Sequence, residues 1–167
     1  MCIKELFIEL HVVESNIIKY IQSIITNEIL IIMNAVSGFI YSKLFFCIII
    51  ILYLLKFFTF HQFILILLVN SIVRIIRYLI RRNRPYINDS NIKLYDENIF
   101  DKYSFPSGHT TYSSLIYFIL LNNKIINKYY IIFPLLISFS RIILGTHYIS
   151  DVIAGIILAR YLSLLVK

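Results

Sequence analysis

Apolar positions along this chain fall into long blocks separated by short polar breaks. Residues 44–58 are apolar apart from Lys56, and after a break at 59–62 a second run extends from Phe63 to about Ile80. A polar stretch from Arg81 to Ser104 follows, with Asn, Asp, Tyr and Lys throughout, and then three more apolar runs at 110–121, 129–144 and 149–166. Each run can cross a bilayer, if slightly short of the usual ~20 residues and flanked by Lys or Arg that reach the interface. Residues 3–38 read differently. Ile17, Ile18, Ile21, Ile24 and Ile25 recur at helical spacing with Lys19, Gln22 and Asn27 between them, as expected of a helix lying in the interface. The pattern predicts an all-α, polytopic membrane bundle of about five transmembrane helices, preceded by interfacial helices over residues 1–40.

Composition agrees. Of 167 residues, 59% are hydrophobic and only 15% charged, and the mean hydropathy is +0.81, far too apolar for an ordinary soluble domain of this size. With 4 Gly, 3 Pro and no linker-like stretch, the chain reads as one domain over 1–167. The net charge of +7 lies between apolar runs and on one helix rather than in a soluble basic domain, which points to anionic lipid and away from nucleic acid. Cys2 and Cys47 suggest neither a disulfide framework nor a metal cluster. The first ten residues lack the basic start and small-residue cleavage site of a signal peptide.

Span parity sorts the polar segments. The 81–104 stretch, the turn at 106–109 and the turn at 145–151 share one compartment with the N-terminal segment, and all the Asp and Glu residues fall there. Lys56, Lys124, Lys128 and Lys167 lie on the other side without an acid. Lys-bearing short loops favour the cytoplasm, so the first side is expected to be exoplasmic, in a plasma (inner) membrane.

Three stretches carry candidate chemistry. Arg74, Arg77, Arg81 and Arg84 share one helical face if the helix persists that far. Such a stripe either anchors the span at the interface or binds an anion. In Phe105-Pro106-Ser107-Gly108-His109-Thr110, Pro106 ends the preceding loop and Ser107 is a good N-cap. Gly108 admits an anion to the exposed N–H groups of a first helical turn, and His109 exchanges protons near neutral pH. The third stretch supplies Ser140, Arg141, Gly145, His147 and Asp151. His147 and Asp151 are four apart, so the carboxylate can orient one imidazole nitrogen and leave the other free for attack. A purely structural hydrogen bond fits that pair equally well, and Arg141 could simply pair with an acid. Arg82, Lys93 and Lys102 read either as contacts to a second phosphate or as solvated loop charges.

Taken together, Arg77 with six residues to Arg84-Pro85, then Pro106-Ser107-Gly108-His109, then Ser140-Arg141 with five residues to His147 and three more to Asp151, resemble the signature of the type 2 phosphatidic acid phosphatase family, relatives of the vanadium haloperoxidases. The signature covers 77–151 and matches in order and spacing, with Arg77 where the family usually has Lys. The resemblance implies that His147 is a nucleophile forming a phosphohistidine, that Asp151 holds its tautomer, and that His109 protonates the leaving oxygen. It further implies that Arg77, Arg84 and Arg141 grip the phosphate, with Ser107 and the Gly108 N–H completing the cradle. No metal and no cofactor are expected, since three guanidinium groups can neutralise the phosphoryl charge. A charged pocket at the mouth of hydrophobic spans suits a lipid phosphate or pyrophosphate such as phosphatidate, phosphatidylglycerol phosphate or polyprenyl pyrophosphate. A phosphotransferase using the same phosphohistidine, or a non-catalytic lipid-binding bundle, would share these features.

Overall fold

The computed structural model describes residues 3–96 and 101–167; Cys2 lies outside them. Among the described residues eight α-helices follow in order: α1 (Ile3–Ile24), α2 (Asn27–Phe39), α3 (Lys43–Leu54), α4 (Phe60–Ile80), α5 (Pro85–Asn88), α6 (Gly108–Asn122), α7 (Ile132–Ile143, entered through a 3-10 turn at Lys128–Ile131) and α8 (Ile149–Leu165). Among the described residues there is no strand, and one isolated bridge joins Asn83 to Tyr103. The five apolar runs are thus helical.

Their lengths differ from a uniform set of spans. Among the described residues only α4, with 21 residues, is by itself long and apolar enough to cross a membrane; α3 is an apolar helix of 12 residues. α1 and α2 bend by 119° at a break between residues 24 and 27. Local chemistry sets the ends. Thr59 and Gln62 form a reciprocal capping box at the start of α4, with bonds of 3.3 and 2.9 Å, which satisfies two orphan donors of the first turn. At the other end Arg81 adopts a left-handed conformation, φ 56°, and donates its N–H to the Arg77 carbonyl at 2.8 Å. The helix therefore stops at Ile80, and the arginine stripe anticipated from the sequence ends with it. Arg81 turns back over the Tyr78 ring, and Arg84 belongs to the next segment.

α6 is the central helix. Thr110 to Tyr117 and Ile119 are buried along it, and it packs against α4, α7 and most extensively α8. Ile66 and Val69 of α4, Leu115 and Ile119 of α6, and Ala159 of α8 are fully buried in one core. A second core joins Ile18 of α1, Ile92 of the long loop, Ile142 of α7, and Tyr148 and Val152 at the start of α8. In lipid, association depends on close packing more than on hydrophobic transfer. Gly155 supplies that closeness: a Cβ there would lie 3.0 Å from both the Ser107 carbonyl and the Thr111 hydroxyl. Outward faces carry Leu68, Ile75, Leu79, Phe133, Ile153 and Ile157, an apolar coat suited to acyl chains.

The bundle is clasped at one end by Gln62, which bonds to Asn123 and to the Val166 carbonyl at 3.1 Å each. The charged turns gather at the other end. Replacing Gly155 by Leu forces α8 away from the start of α6; thermal unfolding in detergent should show a loss of about 1–3 kcal/mol, the usual range for overpacking.

Candidate active site

Five elements meet at the charged end: the last turn of α4, the loop after it, the first turn of α6, the α7–α8 turn and the turn between α2 and α3. They enclose a cavity of about 910 Å³ whose walls include Tyr41, Arg77, Arg84, Gly108, His109, Arg141 and His147. Six of the eight residues singled out from the sequence thus border one volume. Ser107 and Asp151 are buried behind it.

Arg77 is aimed by α4. Its Nε and Nη2 donate to the Pro106 carbonyl at 3.0 and 2.9 Å, and Nη1 donates to Asp101 Oδ2 at 3.0 Å. This fork ties α4 to the entrance of α6. Gly108 leaves room for it, since a Cβ there would lie 3.2 Å from both Arg77 Nη2 and the Tyr41 hydroxyl. Ser107 stands at the N-cap position of α6 but makes no capping bond through its side chain, contrary to the capping role read from the sequence. Its carbonyl instead accepts the Thr111 hydroxyl at 2.8 Å, and its N–H donates to the Asp151 carbonyl at 3.0 Å.

Arg84 crosses the site. Nε donates to the Asp101 carbonyl at 2.7 Å, Nη1 donates to the Thr146 carbonyl at 2.9 Å, and Nη1 also lies 3.3 Å from His147 Nε2. Burial and the charge of Arg77 push its pKa down to about 10, so it stays cationic at neutral pH. Arg141 donates to Asp96 Oδ2 at 2.6 Å and to the Ser37 hydroxyl of α2. Its own carbonyl receives the N–H groups of Thr146 and His147 at 3.1 and 3.2 Å. That closed turn delivers His147 to the cavity.

His147 is 1% exposed. Burial, reinforced by Arg84, Arg77 and Arg141, holds its pKa well below the ordinary imidazole value, so the ring is neutral near pH 7. Nε2 faces Arg84, while Nδ1 lies 3.6 Å from Asp151 Oδ2. The pair therefore approaches without closing a hydrogen bond, and it does so at the entrance of α8 rather than within a helical turn. Asp151 Oδ2 accepts the Tyr148 N–H at 2.8 Å, and Oδ1 accepts Arg82 Nη1 at 2.7 Å. Across the cavity the His109 ring meets Tyr41 edge-on at 4.4 Å, and the Tyr41 hydroxyl donates to Asn70 Oδ1 at 2.8 Å.

Several participants were missed from the sequence. Arg82 is neither a phosphate contact nor a solvated charge: it is 6% exposed, bridges Asp151 to Glu14 of α1 at 2.7 Å each, and stacks 4.0 Å above the Tyr148 ring. Glu14 in turn accepts the Ser150 N–H at 2.6 Å. Lys93 is exposed, but its backbone is fixed by Gln22, whose amide donates to the Lys93 carbonyl at 2.8 Å and accepts its N–H at 3.0 Å. Lys102 does border the cavity. Asp96 and Asp101 hold Arg141 and Arg77; burial would raise the Asp101 pKa, but the Tyr103 N–H and Arg77 keep it below the usual carboxylate value. The sequence signal for these acids is the gathering of every carboxylate on the arginine side, since buried cations need counter-ions. Among the described residues, no group of three or more His, Cys, Asp or Glu could hold a metal ion.

The fold is an all-α bundle with a cationic, histidine-containing cavity at one end, and comparison with known proteins gives the family. The PAP2 superfamily model matches residues 29–167; the chain belongs to the PAP2 superfamily. Its fold is similar to that of a transmembrane PAP2-type phosphatidylglycerolphosphate phosphatase from Bacillus subtilis, with a TM-score of 0.73 and 22% identity over 97% of this chain and 90% of that one. It is also similar to LpxE from Aquifex aeolicus, with a TM-score of 0.71 and 19% identity over 92% and 93% of the two chains. An uncharacterized protein of Methanocaldococcus jannaschii is 41% identical over 61 residues, which is 35% of this chain and only 26% of that protein.

Replacing Arg82 by Gln leaves the buried Glu14 and Asp151 carboxylates without their shared cation. A stability loss of about 3–5 kcal/mol is expected, as when one partner of a buried ion pair is removed. Thermal or chemical denaturation of the purified variant reads it, and an unchanged midpoint rejects the bridge.

Proposed function

We propose that this protein is an integral-membrane phosphatase that hydrolyses a lipid phosphate or pyrophosphate through a phosphohistidine at His147, without a metal. The observation that carries the reading is the placement of the neutral His147 ring, with Nε2 beside Arg84 in a cavity also bordered by Arg77, Arg141 and His109. Negative charge that grows on a phosphoryl group in transfer would meet three fixed cations there, and such preorganised electrostatics is the largest catalytic contribution available.

In the first step Nε2 attacks phosphorus and the bond to the leaving oxygen breaks. His109, which must enter the step as the imidazolium, supplies the proton that this oxygen takes up and is left neutral. The Nδ1 proton, directed at Asp151, offsets the charge that builds on the imidazole. In the second step His109 removes a proton from water, the water oxygen attacks phosphorus and the P–N bond breaks, which restores neutral His147 and releases inorganic phosphate. The 3.6 Å approach of Nδ1 to Asp151 is of the kind that tightens in a substrate complex. A phosphate entering between the arginines competes with Asp96 and Asp101, so these two carboxylates would have to release Arg141 and Arg77 as the site fills. The motif end carries the acids, whereas Lys56, Lys124 and Lys128 lie at the opposite ends of their helices; this distribution supports an exoplasmic active site.

Phosphate release is to be measured over a panel of lipid phosphates with EDTA present. Wild-type protein should release phosphate and His147→Ala should not, with a loss of at least about 10³-fold. An acid-labile phosphoryl adduct should be trapped on wild-type protein and be absent from the variant. Retained turnover in His147→Ala would reject the mechanism. His109→Ala should slow hydrolysis of lipid alcohol esters much more than that of an aryl phosphate, whose leaving group needs no proton. Equal losses on both substrates would remove His109 from the acid role.

A further inference from the structure

The wall of α4 carries a second cation that the proposed mechanism leaves unused. Asn70, Arg74 and Arg77 recur at intervals of four and three and all border the cavity, so they form one ladder along that helix. Arg77, at the catalytic end, is committed to the Pro106 carbonyl and Asp101. Asn70 is committed to the Tyr41 hydroxyl. Arg74, between them, is exposed, and among the described residues its guanidinium has no hydrogen-bond or ion-pair partner. It bears on the same volume as the catalytic arginines, since Arg77, Arg141 and Tyr41 border the cavity with it.

Depth gives this position its meaning. Arg74 is three residues further into α4 than Arg77, about 4.5 Å along the axis, and so nearer the middle of the span, where the tail of a bound lipid would lie. A guanidinium so far from the helix end is costly unless an anion or water meets it. In a lipid with two phosphates, such as phosphatidylglycerol phosphate or a prenyl diphosphate, the inner phosphate lies between the attacked phosphorus and the tail. With the terminal phosphate among Arg77, Arg84 and Arg141, the inner one points down the ladder toward Arg74. Phosphatidate has no charge to place there.

We infer that Arg74 forms a second phosphate subsite and that the cavity selects lipids carrying two phosphates over lipids carrying one. The inference rests on the phosphatase reading for its orientation. The bond broken is the one to the terminal phosphorus: the leaving group is phosphatidylglycerol in one case and a prenyl monophosphate in the other, each taking its proton from the general acid, while water supplies the oxygen of the released phosphate. The inner phosphate stays on the leaving group. Arg74 touches substrate in the ground and transition states alike, so it acts on KM more than on kcat.

Initial rates are measured for full-length wild type, Arg74→Gln and Arg74→Lys in mixed micelles, on phosphatidylglycerol phosphate and on phosphatidate with the same acyl chains. Arg74→Gln should raise KM for the two-phosphate lipid about tenfold, the equivalent of one charge-assisted hydrogen bond. Its kcat, and both constants for phosphatidate, should stay within about twofold, and Arg74→Lys should recover part of the loss. Equal losses on both lipids would show that Arg74 merely anchors α4 to bulk headgroups, and no change on the two-phosphate lipid would show that nothing binds there; either overturns the subsite. Calorimetry with farnesyl methylenediphosphonate and farnesyl phosphonate, neither hydrolysable, separates this from the catalytic reading. The wild type should prefer the bisphosphonate at least tenfold and Arg74→Gln should lose the preference. Wild-type protein that shows the preference but turns over neither lipid rejects the phosphatase and keeps the subsite. Equal affinity for the two probes, or binding of neither, rejects the subsite.

Discussion

Three guanidinium groups, from Arg77, Arg84 and Arg141, meet at one end of a bundle whose outer surface is apolar. Like charges so placed repel one another, and burial withdraws the water that would screen them. Much of the rest of the structure answers that constraint. Asp101 bonds to Arg77 with its carboxylate and to Arg84 with its carbonyl, Asp96 pairs with Arg141, and the Pro106 and Thr146 carbonyls take the remaining forks. A fourth arginine, Arg82, repeats the arrangement one layer behind, between Glu14 and Asp151. Protein carboxylates supply the anions, a role that the phosphate of the proposed function would take over.

The same constraint explains why short helices suffice. α3 and α7 have 12 residues each, and the central α6 is buried along most of its length. Their backbone groups are satisfied within helices, as a membrane demands, while the connecting segments gather at the two ends. One end is clasped by neutral amides through Gln62 and Asn123. The other is knotted by ion pairs that reach from α1 to α8. That division keeps the ion pairs of the charged end apart from the larger hydrophobic core.

The N-terminal helices link fold and site. A bent pair of helices at the interface would be expected only to lie on the membrane, yet Glu14, Gln22, Ser37 and Tyr41 reach from it to the α8 entrance, the long loop, Arg141 and His109. Each contact spans a large sequence separation and uses a single polar side chain inside a mixed segment. No local period marks such residues.

What the sequence determined by itself is local in origin. The apolar blocks dictated helices because backbone groups in lipid must bond within their own segment, and the fixed spacings around Arg77, Pro106-Ser107-Gly108-His109 and Arg141-His147-Asp151 marked candidate residues, six of which the fold brings to one cavity. Tertiary structure decided the partners. It ended α4 at Ile80, which broke the arginine stripe and left Arg74 on the cavity wall; it carried Arg82 inward to Asp151 and Glu14; and it set Asp96 and Asp101 against the arginines. The reason is physical: a helix's hydrogen bonds close within four residues, whereas a buried charge takes its counter-ion from wherever the fold brings one.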